Sequence, residues 1–132
     1  MAHEKQFQKI KSNSEWEDKV GFSRAVKAGN HIFVSGTTAL GANGKIIGED
    51  DVYAQSRQCI LNIEKALNKA GATLQDVVRT RAFITNMDEW EAFGKAHREF
   101  FINIEPAATL VEINKLIHPD MLIEIEAEAV IT

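Results

Sequence analysis

Three glutamates near the end of the chain, Glu124, Glu126 and Glu128, alternate with Ile123, Ile125, Ala127 and Ala129. Successive side chains of a strand point to opposite faces, so this spacing lines three carboxylates along one face and apolar groups along the other. Like charges this close raise one another's pKa, and a raised carboxyl can pass protons to and from a water near neutral pH. Glu112, in the preceding apolar stretch, joins them if its strand lies alongside. The same pattern also describes a solvated sheet face whose acids pair with cations. Arg79 and Arg81, which share one face of their own segment, would supply those cations.

Other reactive residue types carry less. His97 falls among Trp90, Phe93 and Phe101, and no acid, nucleophile or second histidine is spaced to make it a base or a ligand. It is expected to pack and hydrogen-bond. Cys59 sits on the inner stripe of a helical pattern and is expected to be inert core. As the one cysteine, it cannot form an internal disulfide, which suits a reducing compartment. Together with four scattered histidines it gives no metal-ligand spacing. Ser35-Gly36 closes a strand, and the glycine lets a ligand approach backbone amides closely. Gly41-Ala42-Asn43-Gly44 is too poor in glycine for a nucleotide-phosphate loop, and no Lys-Ser/Thr follows.

The elements that must position these residues are marked by periodicity. Phe22–Ala28 and His31–Thr38 read as strands joined by Gly29-Asn30, two residues that tolerate positive φ. Asp50-Asp51 can cap a helix running to Ala70, with Gly71 as its stop. Val77–Thr85 alternates as a third strand. Asn86 and Glu89 resemble a capping box that opens a second helix, with Trp90, Phe93, Gly94, His97, Phe101 and Ile104 on one stripe. After Pro106, Ala107–Ile113 and Met121–Ile131 complete the strands. This order predicts an α/β (α+β) fold with both helices on one face of a mixed sheet. The carboxylate-bearing face is then left to be partly covered by another subunit.

At 132 residues, with no linker or repeat, the chain is expected to be one domain spanning 1–132. A hydrophobic content of 45% and a charged content of 26% describe a globular protein with a real core. The net charge of −4, without a basic run, argues against a nucleic-acid partner, whose phosphates require clustered cations. The first six residues lack the apolar stretch of a signal peptide, and no apolar run approaches the ~20 residues of a membrane span. The expectation is a cytoplasmic protein with no membrane partner.

Several segments taken in order resemble the Rid/YjgF family of small trimeric proteins. They are Gly29 to Gly36, Gln55 through Ile63, Ala70-Gly71-Ala72 with Asp76-Val77-Val78, Phe83-Ile84-Thr85, Phe100-Phe101, Pro106-Ala107 and Leu122 to Ala127. The resemblance implies a chorismate-mutase-like sheet, a homotrimer enclosing a central barrel, and clefts between subunits. It implies that such clefts hydrolyse enamines and imines, with an arginine clamping the substrate carboxylate and a glutamate positioning water. No metal or organic cofactor is implied. Other members are described as single-strand ribonucleases.

Carried over position by position, the water-positioning glutamate falls on Glu124 and the serine of the Ser-Gly pair on Ser35. The family's tyrosine becomes Phe22, its clamping arginine becomes Ala108, and a cleft cysteine becomes Leu110. An asparagine of the second helix becomes Gly94. Arg24 stands at a glutamine position on the face of Phe22, from which it could take over anion binding. The expected ligand-binding set is therefore Phe22, Arg24, Ser35, Ala108, Thr109, Leu110 and Glu112, with Glu124 catalytic. Because alanine offers neither charge nor donor, the expected substrate is an imine other than the standard 2-imino acids. The alternative is a cleft that binds a small metabolite without turnover, and ribonuclease activity ranks last.

Overall fold

A computed structural model describes residues 7–132, so the leader reading of residues 1–6 lies outside the described residues. The chain runs β1 (Gln8–Ile10), α1 (Glu15–Val20), β2 (Ala25–Ala28), β3 (His31–Thr37), α2 (Val52–Lys69), β4 (Val77–Ile84), α3 (Trp90–Phe101), β5 (Ala107–Glu112) and β6 (Ile123–Val130). Short 3-10 turns at Leu74–Asp76 and Met87–Glu89 lead into β4 and α3. The sheet order is β1-β2-β3-β6-β4-β5, with β4 and β5 parallel and every other pair antiparallel. The mixed sheet with two main helices on one face is the predicted architecture.

Local chemistry explains most boundaries. Asp51 accepts a hydrogen bond from the Ala54 amide at 3.0 Å and opens α2, and Gly71, at φ +84°, lies just beyond its end. The β2–β3 turn pairs Ala28 with His31, leaving Gly29 at φ +61° and Asn30 as a two-residue loop. The proposed capping box at Asn86 is not formed. Asn86 instead accepts from the Asp88 amide in a 3-10 turn, while the reciprocal box lies at Thr73 and Asp76.

The alternation in β6 sorts its residues as expected. Ile123, Ile125, Ala127 and Ala129 are buried beneath α2, and the intervening glutamates are only partly covered. Ile60, Ile63 and Leu67 of α2 meet them from the helical side. Buried Gln55 is fully used, donating to the Gly48 and Asp120 carbonyls and accepting from the Leu122 amide. It ties both loop ends to α2.

Two elements were not anticipated, β1 and α1. Ser14 accepts from the Trp16 amide to open α1, and Gly21, at φ +88°, closes it. Buried Glu17 accepts from the Ser12 amide and hydroxyl. The first predicted strand also begins later than expected, at Ala25, so Phe22 and Arg24 lie in the segment that enters it.

Candidate functional site

The site is built on an irregularity in β3. Val34 lies opposite Ala127 and Thr37 opposite Ile125, so Ser35 and Gly36 together occupy the space facing Glu126. Two residues against one make a β-bulge, which re-aims the local side chains. At Gly36 a Cβ would stand 2.6 Å from Glu124 Oε1 and 2.8 Å from its Cδ. Only glycine lets that carboxyl group rest against the backbone here.

Glu124 is half-buried, and its carboxyl is pushed above the ordinary glutamate value. Burial is the main cause, the charge of Arg24 opposes it, and Glu126 adds to it. The upward shift expected from the glutamate row therefore holds for Glu124, with desolvation rather than like charge as its first cause.

Arg24 stands beside it. Its Nη2 donates to the Gly36 carbonyl, its guanidinium carbon lies 5.4 Å from the centre of the Phe22 ring, and its Nε is buried without a partner. Burial lowers its pKa, with Glu17 and Glu124 pulling back. Arginine nevertheless stays charged. The Ser35 hydroxyl donates to the Ser23 carbonyl at 2.7 Å, and the Ser35 amide donates to Arg24 at 3.0 Å. Ser35 thus holds the segment that carries Phe22 and Arg24.

The β5 residues are placed differently. In register with β4, Ala108 pairs with Thr80, Leu110 with Ala82 and Glu112 with Ile84. Those three partners are buried on the helical face. Within one chain, Ala108, Leu110 and Glu112 therefore face away from Glu124, while Thr109, opposite Arg81, shares the carboxylate face. Glu112 does not join the glutamate row. Its Oε1 accepts from the Met87 amide at 2.8 Å and anchors the turn before α3. The spacing of the sequence could not reveal this, because facing depends on which strands pair.

Glu126 and Glu128 answer the solvated-face reading. Both accept from Arg81, in a hollow of about 180 Å³ that Phe33 and Arg79 also line. His97 packs as expected, with Nε2 2.8 Å from the Thr80 hydroxyl and its ring centre 5.4 Å from Phe93 and 4.6 Å from Phe101. Cys59 is buried, and burial pushes its thiol pKa upward. Among the described residues no group of three metal-ligating side chains occurs, and no helix is long and apolar enough to cross a membrane.

The sequence and the mixed α/β fold together place the chain in a known family. Residues 13–131 match the family described as Endoribonuclease L-PSP, and the chain belongs to it. The crystal structure of Rv2704 from Mycobacterium tuberculosis, a member of the YjgF/YER057c/UK114 family, superposes with a TM-score of 0.87 at 43% identity. That match covers 96% of this chain and all of that one. An uncharacterised protein of Streptomyces coelicolor is 34% identical over 121 residues, covering 92% of this chain and 90% of its own. The 3-aminoacrylate deaminase RutC of Acinetobacter baylyi is 33% identical over 105 residues, 80% of this chain and 82% of its own.

Proposed function

We propose that the chain hydrolyses an enamine or imine, with Glu124 directing the attacking water. The carrying observation is the partly desolvated Glu124 carboxyl against Gly36, held in the field of Arg24. A carboxylate whose proton affinity is raised is the better general base. It takes a proton from water as the water oxygen bonds to the imine carbon. The proton passes to nitrogen, and the resulting amino alcohol collapses to a carbonyl as its hydroxyl proton moves by way of Glu124 to the departing ammonia, leaving Glu124 ionised again. An enamine enters the same course once a proton from solvent has added to its β-carbon. A relative named for deaminating 3-aminoacrylate, itself an enamine, supports this reaction class.

Ala108 supplies no charge for a substrate carboxylate, so the favoured substrates lack one or present it to Arg24. The cleft in this reading lies between copies of the chain in a homotrimer. Its support is the half-covered glutamate face and the exposed apolar Phe33 and Val111, at 48% and 40% exposure. A solution mass three times the 14.7 kDa of the chain is expected by light scattering. Ribonuclease activity has no support on this face, where Arg81 is held by Glu126 and Glu128.

Ammonia release from a panel of imines, generated in place by an amino-acid oxidase or lyase, tests the reading. Glu124→Gln is expected to lower turnover by about 100-fold or more, the scale of a lost general base. Gly36→Ala is expected to fold, because the displaced atom is the end of a flexible side chain, yet to lose most turnover. Unchanged turnover in Glu124→Gln would refute the role. The engagement of the Ser35 hydroxyl by Ser23 favours a second reading, a metabolite-binding protein without turnover. Ligand-induced stabilisation with no ammonia from any imine would select it.

A further inference from the structure

We propose that a groove between the N-terminal segment and α2 binds a small organic acid, an anionic group on an apolar body, at a place separate from Glu124. The groove has a volume of about 730 Å³. Small-molecule sites commonly span about 300–1,000 Å³. Its walls are residues 10–16, the loop after β3 and the outer face of α2, with Arg24 among the lining side chains. Glu124, Ser35 and Phe22 do not line it. The inference therefore stands without the hydrolase reading.

The charge of the groove opposes that of the molecule. The chain carries a net −4, yet Lys11, Arg24, Lys65 and Lys69 converge here, with Glu15 the one lining carboxylate among the described residues. Glu15 is itself paired with Lys19 at 3.0 Å. Trp16 and Leu61 add apolar surface beside these cations. The local excess of positive charge is set for an anion, and the apolar wall for what the anion is attached to.

Arg24 supplies the strongest argument. A desolvated charge is costly unless it is paired and hydrogen-bonded. Its Nη2 has only the Gly36 carbonyl and its Nε has no partner. Among the described residues it forms no ion pair. Glu17 and Glu124 are close enough to act on its charge, but neither is bonded to it: Glu17 is engaged by Ser12, and Glu124 lies against Gly36. An acid group from outside would provide the direct, hydrogen-bonded ion pair that neither carboxylate makes. The wall is also pre-formed, since Asn62 donates to the Thr38 and Leu40 carbonyls at 3.0 and 2.9 Å and so fixes α2 to the loop.

Calorimetric titration of the full chain with phenylacetate, with benzyl alcohol as the uncharged control, tests the proposal. Saturable, salt-sensitive binding of phenylacetate is expected, with at least tenfold weaker binding of the alcohol. Lys65→Glu and Leu61→Asp alter exposed side chains and should fold; each is expected to weaken phenylacetate binding about tenfold or more. Glu124→Gln is expected to keep it, which separates this site from the proposed reaction centre. Absence of phenylacetate binding, or equal binding of the alcohol, would overturn the proposal. So would loss of binding in Glu124→Gln with none in Lys65→Glu, or binding of a single-stranded oligonucleotide in place of the small acid.

Discussion

Glu124 has a stability consequence as well as a chemical one. Its folded-state pKa is raised, so the folded protein binds a proton there more readily than the unfolded chain. Stability must then fall as pH rises from the ordinary glutamate value through the folded one. At neutral pH the ionised group opposes folding, because burial outweighs the attraction of Arg24. Glu124→Gln is accordingly expected to raise the Tm at pH 7 and to leave it nearly unchanged at about pH 3, below the ordinary value of about 4.3. A lower Tm at pH 7 would show that Arg24 dominates. A residue that weakens the fold where it is ionised is consistent with selection for a task other than packing. The sequence showed the row of three glutamates, yet nothing in their spacing distinguished Glu124 from Glu126. The distinction comes from a bulge one strand away, where Gly36 admits one carboxyl group and Arg81 binds the other two.

At the level of elements, the contact between α3 and β4 makes the clearest prediction. His97 is held neutral by burial among Phe93 and Phe101, with Thr80 as its hydrogen-bond partner. A histidine whose folded pKa is lowered loses stability as pH falls below its unfolded value of about 6.5. His97→Phe is expected to cost about 1–3 kcal/mol at neutral pH by leaving the buried Thr80 hydroxyl unpaired. It should also flatten the decline between pH 7 and 5 in chemical denaturation, and a decline of undiminished slope would place the acid sensitivity elsewhere. The helical stripe made His97 legible, but Thr80, seventeen residues earlier, becomes its partner only when α3 lies across the sheet. The longer elements were readable for the same reason, since α2 and β6 repeat their apolar residues over many positions. β1 has three residues and α1 has six, too few for any period to stand out. The facing of Glu112 was unreadable because it depends on the parallel pairing of β5 with β4.

Across the whole molecule, Arg24 joins two places that the sheet keeps apart. It lines the cation-rich groove, and it is also the cation that pulls against the burial of Glu124. An anion seated on Arg24 would offset its charge and so weaken that pull. The Glu124 carboxyl should then titrate at higher pH when the groove is filled. Glu126, whose charge pushes in the same direction, and the buried Cys59 thiol remain in place in either state. Coupling of this kind is reciprocal. Protonation of Glu124 must strengthen binding of the acid, and affinity must decline as pH rises through the Glu124 transition. Carbon-detected NMR of the labelled Glu124 carboxyl, with and without saturating phenylacetate, reads the first half, and calorimetry across pH reads the second. The expected pair of results is an upward carboxyl shift and an affinity that falls with pH by the same free energy. A carboxyl titration indifferent to the ligand would mean that groove and bulge act independently, and that Arg24 serves only one of them.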